Sequence, residues 1–307
     1  MRALVISGGG SKGAFAGGVA QYLIEELGHK YDIFVGSSTG SLLISHLALN
    51  KVEKIKGIYT SVNESSIFNR CPFLIRSGPN GSKQIKINHY NVIRQFLRGK
   101  KTFGESKNLR RLIAKEFTKE EFETLKKSDK EVIVTVSNLT YDRVEYKPLK
   151  YFTYEEYCDW VWISCNFIPF MSIAIKDNCE YGDGGFGNMV PIEEAIFHGA
   201  TTIDVIALLT EVTHEVHPIS KNAFSLLSNL NLFITGRISR QNIRIGKLIA
   251  AKNNVKLNFY YTPSKLTSNS LIFDEETMTG WWQLGRDYAR ERTLKLNQND
   301  NDNSDLF

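Results

Sequence analysis

The sequence predicts an α/β fold with a largely parallel sheet. Short apolar runs alternate with stretches of helical periodicity from the first residue onward, which argues for strands joined by helices. Glycines cluster where predicted strands run into predicted helices. The 307 residues, 42% apolar and 23% charged, suffice to bury a sizeable core, and they set aside disorder, collagen and coiled coil. At roughly 100 to 200 residues per domain, the length fits one large α/β domain or two smaller ones.

Leu4-Val5-Ile6 reads as a buried strand, and Phe15, Val19, Tyr22 and Leu23 then recur on one helix face. Tyr31 to Val35 is a second strand, followed after Gly36 to Gly40 by a helix carrying Leu42, Leu43, Leu47 and Leu49. Val132 to Val136 and Ile203 to Leu209 read as further buried strands, and Ile173–Ile175 with Glu180-Tyr181 as a hairpin across Asp177-Asn178. Asn222 to Ala251 has a helical pattern ending in a basic turn, Lys256 to Tyr261 is a strand that Pro263 terminates, and Glu275 to Leu296 is a last helix. The organisation expected is a core over 1–211 with an insertion at about 70–130, a helical and strand extension of the same domain over 212–296, and a disordered, Asn/Asp-rich tail over 297–307.

Charge is uneven along the chain. The whole has 38 Lys and Arg against 33 Asp and Glu, a net +5, whereas Arg70 to Lys130 has 16 against 6, a difference of +10. This segment is expected to be a helical insertion, either simply solvated or approaching anionic phospholipid headgroups; no nucleic-acid module accompanies it. No apolar run reaches the roughly eighteen residues of a membrane span, since Leu42 to Leu49 is short and carries His46. The N-terminal apolar run is too brief for a signal-peptide core. Cys71, Cys158, Cys165 and Cys179 show no CxxC spacing and read as buried small hydrophobes in a reducing compartment. A cytoplasmic protein, peripheral at membranes at most, is expected, with export by a signal-independent route left open.

The chemistry concentrates in three glycine clusters. Gly8-Gly9-Gly10-Ser11-Lys12-Gly13 lies between a predicted strand and a predicted helix, where successive amides and a helix N-terminus suit negative oxygen, either a phosphate or an oxyanion. Gly8, Gly10 and Gly13 also satisfy G-x-G-x-x-G, but the acidic residue a dinucleotide site needs is missing from the end of the second strand, and Asp32 lies at its start. Gly36-Ser37-Ser38-Thr39-Gly40 is a G-x-S-x-G at a strand-to-helix junction, the setting of a nucleophile elbow that projects Ser38 Oγ. Alone that pentapeptide is weak; beside the Gly8 loop it gains an oxyanion cradle. Asp183-Gly184-Gly185 offers a carboxylate on a loop small enough to approach a serine, and a partly buried Asp183 near Ser38 is expected, because burial is what would make it a base at neutral pH. An α/β-hydrolase triad would take Ser, Asp and His in chain order, but of His29, His46, His89, His198, His214 and His217 the later ones, His198, His214 and His217, read as ordinary packing or surface residues, and an elbow after only the second strand is too early for that fold.

These three motifs in order make the chain resemble a patatin-like phospholipase. The resemblance extends over about Met1 to Thr60 and Trp160 to Leu209, and includes Asn188-Met189-Val190-Pro191-Ile192. It implies a three-layer α/β/α fold with a mainly parallel sheet, a Ser-Asp dyad in place of a triad, lipid acyl hydrolase activity, and no metal or cofactor. Carried over by position, Ser38 is the nucleophile, Asp183 the base, and the amides of Gly9, Gly10 and Ser11 the oxyanion hole; Gly8, Lys12, Gly13, Gly36, Gly40, Gly184 and Gly185 support the motifs. The lipid substrate and a membrane surface are the implied partners. Ser164-Cys165-Asn166-Phe167-Ile168-Pro169 only approximates the family's Ala-Ser-x-Ala-x-Pro, and the bulkier Phe167 reshapes the expected acyl pocket. The rival reading is a phosphate- or nucleotide-binding protein that uses the Gly8–Gly13 loop without hydrolase activity.

Overall fold

A computed structural model describes residues 1–77, 83–211, 219–267 and 269–304. The chain begins with β1 (Arg2–Ile6), α1 (Gly13–Gln21, prolonged by a π turn Tyr22–Glu26), β2 (Ile33–Ser37), α2 (Thr39–Ala48), α3 (Val52–Thr60) and α4 (Glu64–Ile67). Next come β3 (Phe73–Ser77), β4 (Lys83–Ile87), α5 (His89–Leu97), α6 (Lys107–Glu116) and α7 (Lys119–Lys127). The remainder is β5 (Glu131–Asn138), β6 (Arg143–Pro148), α8 (Tyr154–Ser164), β7 (Ala174–Lys176), β8 (Cys179–Asp183), α9 (Ile192–Phe197), β9 (Thr202–Thr210), α10 (Ala223–Lys252), β10 (Lys256–Thr262) and α11 (Glu275–Ser304).

The eight-stranded sheet runs β10-β9-β1-β2-β5-β8-β7, with β6 also on β5. From β10 to β5 the pairs are parallel; β6, β8 and β7 pair antiparallel. Side chains alternate between two cores. Leu4, Ile6, Phe34, Ile206 and Leu208 point into one, filled by α1, α2, α8 and α11; Ala3, Val5, Ile33, Val35 and Val205 point into the other, covered by α9 and α10. This is the three-layer α/β/α arrangement. Asp177 and Asn178, at φ 50° and 58°, make the two-residue β7–β8 turn, the left-handed conformation that Asp and Asn tolerate.

The register places the site. Ser37, the last residue of β2, pairs with Thr135 of β5, and the next residue of β5, Val136, pairs with Asp183 of β8. Since β6 occupies the other edge of β5, β8 continues the line of β2 beyond its end. Asp183 therefore lands one step past the point where the chain turns out at Ser38.

Two expectations are corrected. The basic segment is not wholly helical: β3 and β4 pair as an antiparallel ribbon ahead of α5–α7, with Phe73 opposite Ile87 and Ile75 opposite Ile85; in β4 Ile85 and Ile87 alternate with Gln84 and Lys86 at period two, a pattern the high charge obscures. The last helix does not stop at Leu296; its backbone continues to Ser304, eight residues into the stretch expected to be loose. Extending a formed helix adds one hydrogen bond per residue without a new nucleus, which Asn and Asp oppose only weakly. Residues 305–307, and His214 and His217, lie outside the described residues.

Helix α11 packs on α1 with backbones nearly touching. A Cβ on Gly18 would meet the Trp282 carbonyl oxygen at 1.8 Å, and one on Gly285 the Phe15 carbonyl oxygen at 2.1 Å. Trp282 is 1% exposed and donates its indole N–H to buried Gln21 Oε1 at 2.8 Å. Among the described residues no helix is long and apolar enough to cross a membrane.

Candidate active site

Ser38 sits on the turn between β2 and α2 with φ 51° and ψ −122°, a conformation that non-glycine residues rarely adopt. The flanking glycines make the turn sterically possible: a Cβ on Gly40 would lie 2.2 Å from the Ile6 carbonyl oxygen, and one on Gly36 2.5 Å from the Gly40 carbonyl carbon. Ser41 fastens the turn by donating its hydroxyl to the Gly36 carbonyl (2.9 Å) and its amide to the Ser38 carbonyl (2.8 Å).

Ser38 Oγ donates to Asp183 Oδ2 at 2.6 Å, and Asp183 Oδ1 accepts the Gly185 amide at 2.8 Å. Asp183 is 2% exposed. Burial pushes its carboxyl up to about 7, while the hydrogen bonds from Ser38 and Gly185 pull the other way. A carboxyl group poised there can take a proton from a serine hydroxyl near neutral pH. Among the described residues the side chain facing Ser38 Oγ is thus an aspartate, not a histidine; His46 lies elsewhere on the cavity wall, its basicity lowered by burial.

The Gly8 loop lies against this pair. A Cβ on Gly8 would be 2.9 Å from Ser38 Cβ. Gly10 has φ 57°, and its carbonyl accepts from Thr39 Oγ1 (2.8 Å) and the Tyr59 hydroxyl (2.6 Å). Gly13 approaches α2 and α3, where a Cβ would come within 2.2 Å of Thr39 Cγ2 and 2.3 Å of the Tyr59 hydroxyl. Lys12 Nζ donates to the Leu208 carbonyl at 2.5 Å, tying the loop to β9. One expected cradle amide is otherwise engaged: Ser11 N–H donates to the Ser270 carbonyl at 2.9 Å, because the chain around Ser270 crosses the loop where Gly10 lacks a side chain. The Gly8 amide is taken by the Met189 carbonyl. Of the three expected amides, those of Gly9 and Gly10 have no acceptor among the described residues. Gly184 is pressed onto β5, where a Cβ would lie 2.2 Å from the Thr135 carbonyl oxygen. Asp32, the acidic residue weighed for a ribose, binds the Arg2 amide at the opposite end of β2.

Several supporting residues carry no signature in the sequence. Ser164, at the end of α8, accepts the Ser38 amide (2.9 Å) and donates to the Thr135 carbonyl (2.6 Å), and Cys165 Sγ lies 3.2 Å from the Ser38 carbonyl as a weak donor. Met189 packs between the two halves of the centre, since Cβ atoms on Gly8 and Gly185 would meet its side chain at 2.5 and 2.4 Å. The Asn166 carbonyl accepts the Asp183 amide at 3.0 Å. Phe167 stacks between Phe170 and Phe186 (centroids 6.1 and 5.4 Å) and forms part of the cavity wall.

From Ser38 and Asp183 a cavity of about 270 Å³ extends among Leu42, Ile55, Val62, Phe73, Ile113 and Met171. Its other wall is one face of α10, with Ser228, Asn231, Thr235, Ser239 and Arg240. The lining is mostly apolar, with Phe224 and Leu232 also contributed by α10, and polar groups such as Ser45, His46, Asn231 and Arg240 are spread along it.

The family model of patatin-like phospholipases matches residues 4–196, more than half of the chain. Among solved structures, the crystal structure of VipD from Legionella pneumophila is similar with a TM-score of 0.50 and 14% sequence identity, over 95% of this chain and 66% of that one. This chain accordingly spans just under two thirds of that structure's length, and at such identity the likeness concerns the fold alone. No curated protein matches in sequence. The order of the three glycine motifs, the sheet that brings them together and the family match lead to one assignment: the chain belongs to the patatin-like phospholipase family.

Proposed function

We propose that the chain hydrolyses fatty-acyl esters of lipids through Ser38 and Asp183. The observation that carries this is the 2.6 Å hydrogen bond from Ser38 Oγ to a buried carboxylate at the head of a largely apolar cavity. Ser38 Oγ attacks the acyl carbonyl carbon as its proton passes to Asp183 Oδ2, and the Gly9 and Gly10 amides hold the oxyanion. The ester C–O bond then breaks, Asp183 returns the proton to the departing alcohol, and water repeats the sequence on the acyl-serine to release the fatty acid. A fluorophosphonate probe is expected to label Ser38, with the modified peptide read by mass spectrometry. A folded chain that takes up no probe would favour the phosphate-binding reading of the Gly8 loop.

The finer reading is a phosphate-bearing ester, of phospholipase A or lysophospholipase type. It is supported by Arg240, which has no ion-pair partner among the described residues, and by Asn231, whose buried Nδ2 donor lacks an acceptor on the same wall. Phosphate oxygens satisfy both groups, and hydrogen bonds to a charged group are worth about 1.5–3 kcal/mol. Arg240→Gln is therefore expected to lower kcat/KM on lysophosphatidylcholine relative to a monoacylglycerol of the same chain by about tenfold or more, with Arg240→Lys intermediate. An equal fall on both substrates would count against the phosphate. The four cysteines are unpaired, which fits a reducing, cytoplasmic setting.

A further inference from the structure

Two exposed apolar stripes on different helices remain unexplained by the reaction. On α10, Leu226, Leu230 and Phe233 recur at i, i+4 and i+7 and are 59, 50 and 61% exposed, while the opposite face of the same helix lines the cavity. On α5, Tyr90, Ile93 and Leu97 recur at i, i+3 and i+7 and are 73, 57 and 83% exposed, while Val92 and Gln95 turn inward. Isolated exposed leucines need no explanation; two ordered stripes of large side chains do.

One aromatic cluster lies between the two helices. Phe224 at the start of α10 packs on Phe73 and Phe170, with centroids 6.0 and 5.7 Å apart. Phe96 of α5 packs on Phe103, which packs on Phe170 at 5.8 Å. Phe73, Phe170 and Phe224 themselves line the cavity that leads to Ser38. A connected set of aromatic side chains thus ties both helices to the cavity that leads to Ser38. Arg94, Arg98 and Arg237 are interleaved with the stripes, and the segment that contains α5 carries the excess of ten positive charges.

We infer that α5 and the first half of α10 form one face that docks on an anionic bilayer, with the stripes inserted at the acyl boundary and the arginines at the headgroups. The interleaved charge selects this occupant, since an apolar protein surface has no need of arginines while an anionic leaflet attracts them. A lipid then enters the cavity along an apolar path, without exposing its acyl chain to water. The inference rests on the reading of Ser38 as the nucleophile only for its purpose, not for the docking itself.

The test uses the full chain with phosphatidylcholine vesicles containing or lacking phosphatidylserine, read by co-sedimentation. Binding is expected to need phosphatidylserine and to weaken as salt rises from about 0.1 to 1 M, where the Debye length shrinks from about 10 to 3 Å. Leu226→Ser/Leu230→Ser/Phe233→Ser, and separately Tyr90→Ser/Ile93→Ser/Leu97→Ser, are each expected to weaken binding by about tenfold or more. Hydrolysis of vesicle phospholipid falls in step, while turnover of water-soluble p-nitrophenyl butyrate is retained. Unchanged sedimentation of either variant overturns the face, as does a self-association of the parent chain that the same substitutions abolish, which would assign it to a second copy. If the parent chain binds vesicles but turns over no ester, the catalytic reading fails and the docking stands; if it turns over p-nitrophenyl butyrate and ignores vesicles, the reverse holds.

Discussion

Ser38→Ala is expected to lower kcat/KM for a lipid or p-nitrophenyl ester on the order of 10⁴-fold or more, because dyad members act as a unit and residual catalysis comes only from binding and the oxyanion cradle. Asp183→Asn is expected to fall nearly as far. The amide can still receive the Gly185 N–H, so the loop geometry survives while the base is lost. Full activity in either variant, with circular dichroism showing it folded, would end the dyad reading. The pH dependence carries the same information. Because burial holds Asp183 at about 7, the base form is depleted in acid, and kcat/KM is expected to fall tenfold per unit below that value. Stability moves the opposite way. The unfolded carboxyl titrates near 3.9 and the folded one near 7, so the folded state binds the proton more tightly. The resulting stability is fully present below about pH 4 and is lost as pH rises through 7. Asp183→Asn should therefore melt higher than the parent at pH 8 and show little advantage at pH 4.

Trp282→Ala is expected to cost about 3–5 kcal/mol, the range for emptying a buried aromatic site, and to lower the melting temperature by at least about 6 °C. The site cannot collapse to fill the space. Gly17 lies directly against the indole and Gly18 against the Trp282 backbone, both fixed within α1, and Gln21 Oε1 would be left without its donor. Activity should suffer too, since α1 follows directly from the glycine loop that faces Ser38. A shift below about 2 °C, under 1 kcal/mol for a chain of this class, would show that α11 is a loose appendage rather than part of the core.

What the sequence made legible was local. The elbow, the glycine loop and Asp183-Gly184-Gly185 each announce themselves within a few residues, and most of the sheet strands appear as short apolar runs. What it concealed was non-local pairing. Nothing in Cys179–Asp183 reveals that β8 will continue the line of β2 along β5, yet that register places the carboxylate. Ser164 reads as an ordinary helix-terminal serine until its hydroxyl proves to hold the Ser38 amide. The engagement of Ser11 by Ser270 joins positions 259 apart, so a contiguous motif naming Ser11 as a free amide could not foresee it. The two faces of α10 were hidden by length: over thirty residues a single helical pattern covers both a cavity wall and an outward stripe.

The backbone at Ser38 has a consequence for how such a chain drifts over time. At φ 51° and ψ −122° a glycine would rest without strain, whereas any residue with a side chain stores on the order of 1–3 kcal/mol. Ser38→Gly should therefore be more stable than Ser38→Ala as well as inactive. A duplicate copy under no demand except to fold would gain from glycine at 38, and again at neutral pH from asparagine at 183. Serine and aspartate at those two positions are choices that folding alone disfavours.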